Sequence, residues 1–132
     1  MKKIKSKPVN CSPDDVLGAV LYLAGINCKK FRHDNSDWAE FFYEQKCQFS
    51  VLSDLRFRKR TSGLESQQLS QAYQNLVHTG LLGLSSNNLQ QPYTTEEMQE
   101  FYKKIIPNFT QEENTQLEKI AERFRARFSI ST

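Results

Sequence analysis

Three groups of residues in this chain have types and spacing suited to chemistry. The first is His33 beside Asp34, with Asp37 close by, the one local acid–base group. A nucleophilic or metal site there needs partners converging from elsewhere in the fold. His78 falls at a predicted helix end, where the helix dipole alone favours a histidine. Neither histidine stands in HExxH or HxH spacing, so no enzymatic activity, metal or cofactor is expected. The second group is Arg56, Arg58, Lys59 and Arg60, a dense run of cations interrupted by Phe57. It suits phosphate oxygens, and it equally suits a solvated loop. Phe57 either stacks on a base or is buried as core.

The third group is a set of side-chain amides, Gln67, Gln68, Gln71, Gln74 and Asn75, on a predicted helix. Such amides can pair bidentately with adenine. No Lys or Arg lies between Leu64 and Gly80, or between Leu84 and Tyr93. Phosphate neutralisation, which normally supplies most of the affinity for DNA, therefore falls to the cation run and to the lysines near the N-terminus.

Charge and cysteine usage set further bounds. Residues 1–60 hold twelve Lys/Arg against seven Asp/Glu, and residues 61–132 hold six against eight, so the net charge of +3 divides as +5 and −2. Three cysteines, Cys11, Cys28 and Cys47, make an odd set without CxxC spacing. Neither a disulfide framework nor a zinc site is indicated, and free thiols fit a reducing cytoplasm. Cys28 lies near Lys29, Lys30, Arg32 and His33, a setting that lowers a thiol pKa; a bland, partly buried thiol is the alternative. No apolar run approaches the ~18 residues of a membrane span. The segment PVNCSPDD after the first lysines is no signal-peptide core.

The elements that must position these groups read mostly as helices. Residues 1–11 read as a flexible basic arm, and 12–132 as a single domain. Ser12-Pro13-Asp14-Asp15 is a helix start, with Ser as cap, Pro at the first position and acids in the first turn. Val16, Leu17, Val20, Leu21 and Ala24 line one face, and Gly25 or Asn27 ends the helix. Cys28 to Asn35 reads as a polar, basic loop. Ser36 or Asp37 caps a second helix, in which Trp38, Phe41, Phe42 and Phe49 share a face with Leu52. Val51 to Phe57 is either a third short helix or part of a long bent one. Thr61-Ser62-Gly63 is a turn.

Leu69, Ala72, Tyr73, Leu76 and Val77 form the apolar face of the amide-bearing helix, which ends at a left-handed Gly80. A β-hairpin follows over about 81–93, its tip at Ser85-Ser86-Asn87-Asn88. Thr94 and Glu97 have capping-box spacing ahead of a helix with Met98, Phe101, Tyr102 and Ile105 on one face, ending before Pro107. Thr110 and Glu113 form a second box. The last helix presents Leu117, Ile120, Ala121, Phe124 and Phe128, a stripe that either dimerises or closes the monomer's core. Its Arg123, Arg125 and Arg127 are surface residues or a second basic patch.

The pattern LxxAYxNLxxxGLLxL…YTTEE, residues 69–97, resembles the recognition helix and wing of winged helix-turn-helix domains. With Val51–Phe57 as the preceding helix, the likeness extends over about 51–98. Val20-Leu21-Tyr22-Leu23-Ala24 also resembles the "LLYLA" helix of small bacterial antitoxin-like domains. The resemblance implies a mainly α, winged-helix-like domain with one small β-hairpin and a C-terminal helix. It implies a cytoplasmic, homodimeric transcription regulator that binds duplex DNA. Phosphate contacts would come from Arg56, Arg58, Lys59 and Arg60, and base contacts from Gln67, Gln68, Gln71, Gln74 and Asn75. The alternative on the same scaffold is an antitoxin-like module that meets a protein partner.

Overall fold

The computed structural model describes residues 12–25, 30–61, 63–84 and 91–129. The expected basic arm, Cys11, Cys28 and the 85–88 tip lie outside them. The described residues form five α-helices and two antiparallel two-stranded sheets. The mainly α class with a small hairpin and a C-terminal helix is as the sequence implies; a second hairpin was not foreseen.

Helix α1, Pro13–Ala24, starts as expected: Asp15 N–H donates to Ser12 Oγ at 3.2 Å, and Gly25 caps its end. Every residue from Val16 to Leu21 is buried. A helix apolar all round must be enclosed, and α1 is enclosed by α3 (Gln67–His78), α4 (Glu96–Ile105) and α5 (Gln111–Phe128). Gly18 forms the notch that admits Tyr102 of α4. A Cβ at Gly18 would fall 1.8 Å from Tyr102 Oη, which instead donates to Asp14 O at 3.3 Å.

Helix α2, Asn35–Lys46, is capped by Asp34 rather than Ser36 or Asp37. The extended backbone of Asp34 brings Oδ1 to the N–H groups of Ser36 at 2.9 Å and Asp37 at 3.0 Å. Trp38, Phe41 and Phe42 are buried with Phe49 and Leu52. Their rings pack with Phe124 and Phe128 of α5, mostly edge to face or tilted, an arrangement aromatic quadrupoles favour. The loop before α2 is less polar than its sequence reads. Phe31 is fully buried, its N–H donating to Pro92 O, while Arg32 N–H donates to Phe128 O.

The expected helix over Val51–Phe57 is absent. Only Ser50–Leu52 makes a 3-10 turn, with Val51 N–H held by Gln116 Oε1 at 2.8 Å. The chain then runs into a hairpin, β1 (Arg58–Arg60) with β2 (Gly63–Glu65). The helix-before-turn of a helix-turn-helix thus has no counterpart in this segment.

Helix α3 is capped by Ser66 and buries Leu69, Ala72 and Leu76; Tyr73 and Val77 are half-buried. Gly80 follows with φ +82°, the expected left-handed terminator. The expected hairpin is β3 (Leu82–Leu84) with β4 (Pro92–Thr94). The next helix starts one residue later than the sequence suggests. Thr95 is its cap, accepting from Met98 N–H at 3.2 Å and donating to Leu81 O at 2.8 Å. Thr94 is buried and donates to Gly25 O at 2.6 Å, joining β4 to the end of α1.

In α4, Met98 and Tyr102 are buried, Ile105 is half-buried, and Phe101 is 44% exposed. Phe101 is therefore not core, because Tyr102 takes the position facing Gly18. Pro107 lies in a 3-10 turn, Ile106–Asn108, continuous with α4. The capping box of Thr110 and Glu113 is present at the start of α5. The α5 stripe is buried against α1 and α2 of the same chain. That closes the monomer core and removes the stripe as a dimer surface.

Gly18→Ala raises helix propensity by ~1 kcal/mol, but overpacking of a well-filled site costs about 1–3 kcal/mol. Urea unfolding is expected to show net destabilisation of the Gly18→Ala protein, and no loss when the same change is made in a Tyr102→Leu background. A Gly18→Ala protein more stable than wild type would contradict this packing.

Candidate nucleic-acid interface

The cation run lies on a defined element. Three-residue strands pair Arg58 with Glu65, Lys59 with Leu64 and Arg60 with Gly63. Gly63, at φ +128°, makes the turn possible and lets the hairpin approach α2; a Cβ there would meet Ser36 Oγ at 2.5 Å. Alternation along the strand puts Arg58 and Arg60 on the face of Glu65, and Lys59 on the face of Leu64. Arg56, Arg58, Lys59 and Arg60 are all exposed. Arg60 Nε lies 2.5 Å from Glu65 Oε1, so its charge is partly neutralised. Phe57 is half-buried, edge-on to Tyr43 at 5.5 Å, and packs against the core. It is structural rather than a base-stacking platform.

The amides divide into two sets. Gln68 is occupied: its Oε1 accepts from Arg56 N–H at 2.6 Å and its Nε2 donates to Asp54 O at 3.2 Å. It ties the segment leading into β1 to the first turn of α3. Asn75 is occupied too, donating to Asp14 Oδ2 at 2.8 Å and accepting from Gln71 Nε2 at 3.1 Å. Gln67, Gln71, Gln74 and His78 form the exposed face of α3. Of the five candidate base contacts, two are thus structural, one is partly engaged, and Gln67 and Gln74 face solvent. The Asp14 carboxylate beside Asn75 is a local obstacle to a phosphate.

Arg123 and Arg127 do not form a second basic patch. Arg123 Nη1 donates to Gln45 Oε1 at 2.8 Å, and Arg127 Nη1 lies 3.3 Å from Glu44 Oε1. Between β1–β2 and α2 lies a cleft of about 610 Å³, lined by Tyr43, Phe57 and Leu64 with Glu40, Glu44 and Lys59 at its edge. Cys47 is an exposed free thiol.

No family model, no curated protein and no solved structure matches the chain.

The acid–base group is used in construction. Asp34 caps α2. The His33 ring lies parallel to Tyr73 at 3.9 Å and edge-on to Trp38 at 4.6 Å. Trp38 Nε1–H donates to Arg32 O at 2.8 Å, fixing the segment that carries His33. Among the described residues no three of His, Cys, Asp and Glu gather as a metal site would need. No described helix is long and apolar enough to cross a membrane.

Burial lowers the His33 pKa, against the opposing pull of Asp34 and Asn35. An unfolded histidine titrates near 6.5. Stability from neutral His33 is therefore complete above about pH 6.5 and lost as pH falls through the lower folded value. Denaturant midpoints measured from about pH 7.5 down to 5.5 are expected to fall in wild type and to fall less in His33→Phe. Equal slopes would contradict the stacked, neutral imidazole.

Proposed function

We propose that the chain is a winged-helix-like DNA-binding regulator that grips the duplex backbone with the β1–β2 hairpin. One observation carries this reading: the cation strand is wholly exposed, and Gln68 anchors it to the N-terminus of α3. Charges on a paired strand lose less freedom on binding than charges on an open loop. The positive end of the α3 dipole lies beside them. Arg56, Arg58 and Lys59 supply most of the phosphate contacts, and Arg60 less because Glu65 competes for it. Gln67 and Gln74, with Gln71, are the amides available to base edges. Cytoplasmic residence and two-fold pairing belong to the same reading; with the α5 stripe covered, pairing uses another surface.

Duplex binding measured by fluorescence anisotropy across a salt series tests this. Each lost phosphate contact flattens the log–log salt dependence by about 0.9. Arg56→Ala/Arg58→Ala/Lys59→Ala is expected to flatten it by up to about 2.7 and to weaken binding to all sequences alike. Gln74→Ala is expected to change sequence preference instead, at about 1–3 kcal/mol for a lost bidentate contact. An unchanged slope in the triple variant overturns the role of the hairpin. A wild-type chain without salt-sensitive binding overturns the DNA reading and leaves the protein-partner alternative.

A further inference from the structure

Among the described residues two large apolar side chains are exposed, Tyr43 at 47% and Phe101 at 44%. Each lines a charged hollow. Phe101 lies in a groove of about 820 Å³ with Glu96, Glu97 and Glu100, against the single cation Lys104. The dipole of α4 accounts for Glu96 and Glu97 in its first turn. It accounts neither for Glu100 nor for an exposed phenylalanine beside it. Tyr43 lies in the cleft of about 610 Å³ at the β1–β2 hairpin, with Phe57, Leu64 and Lys59. The acids of that cleft, Glu40 and Glu44, share Arg127 at 3.8 and 3.3 Å, and Arg60 is paired with Glu65. Lys59 has no ion-pair partner among the described residues. The groove thus has an excess of carboxylate, and the cleft has an uncompensated cation.

We propose that the α4 groove of one copy docks on the hairpin cleft of a second copy. Phe101 packs against Tyr43 and Leu64, and Glu97 and Glu100 face Lys59. The occupant is this chain because both halves of the match stand on it, and one contact takes both exposed rings out of water. The local geometry suits such a contact. Glu97, Glu100 and Phe101 are spaced i, i+3 and i+4, and so share one face of α4. Lys59 and Leu64 are cross-strand partners on one face of the hairpin. Both rings are already held, Phe101 edge-on to Tyr102 at 5.1 Å and Tyr43 edge-on to Phe57 at 5.5 Å. Rings so held lose less freedom on docking than freely rotating ones. Two different patches meet, so the contact is heterologous and runs head to tail, unlike two-fold pairing. Exposed ion pairs contribute little and are screened by salt, so the association is weak and salt-sensitive, with the rings as its anchor. It occupies Lys59, which the DNA reading gives to phosphate, so the two uses of the hairpin exclude each other.

Sedimentation velocity of the full chain over a concentration series tests the proposal without nucleic acid, and so independently of the DNA reading. In low salt the wild-type sedimentation coefficient is expected to rise with concentration, and the rise to shrink in high salt. Phe101→Ala is expected to weaken association at least about tenfold, a modest loss for an interface anchor. Lys59→Glu alone and Glu97→Lys/Glu100→Lys alone are each expected to weaken it as well. Mixed together, these two proteins are expected to associate again, because each supplies the surface that the other has reversed. If Phe101→Ala fails to fold, the mixing experiment decides. A wild-type chain that sediments as a monomer at every concentration overturns the proposal. So does a mixture that associates no better than its components, or association that persists unchanged in all the variants.

Discussion

The fold depends on the burial of α1 on every side. Six consecutive residues, Val16 to Leu21, are removed from water, and a single helix cannot achieve that alone. At about 1.5–3 kcal/mol for each fully buried large aliphatic side chain, covering this helix is the dominant local gain. It requires α3, α4 and α5 to converge on one axis. Gly18 sets how closely α4 approaches, and Thr94 bonded to Gly25 O fixes where the second hairpin meets the end of α1.

The polar side chains near α1 serve that convergence before any ligand. Asp14 receives hydrogen bonds from Asn75 through its carboxylate and from Tyr102 through its carbonyl. Gln116 satisfies the backbone where the chain leaves α2, and Gln68 does the same where it enters β1. Each joins segments far apart in sequence. Buried and half-buried backbone groups without such partners are costly, so these amides are committed to structure. What remains exposed is informative by contrast: the cations of β1, the glutamine face of α3, and Phe101 in its acid-lined groove.

Much of this was legible in the sequence where the signal is local. Ser12-Pro13 and the Thr110–Glu113 box start helices as their residue types require, and Gly80 takes the left-handed conformation that ends α3. The aromatic face of α2 and the stripe of α5 follow from helical periodicity. Long-range choices were not legible. Arg58–Arg60 has no alternation of apolar residues, so its pairing with Gly63–Glu65 rests on the turn and on the approach of Gly63 to Ser36. Phe31 sits alone among polar residues, and only its own bond to Pro92 and that of Arg32 to Phe128 show why it is core. Phe101 and Tyr102 are adjacent aromatics, and nothing local says which one enters the Gly18 notch. In the candidate interface, the cations were legible as a cluster, but the engagement of Gln68 and Asn75 depends on partners 14 and 61 residues away.

Helix α1 is the element on which the rest of the fold is built. Native-state hydrogen exchange measures this directly. Amides of Val16–Leu21 are expected to be among the slowest in the protein, opening only with global unfolding. Those of β1 and β2, exposed and held by one short ladder, are expected to open locally and far faster. Exchange from α1 as fast as that from β1 would show that α1 does not hold the fold together.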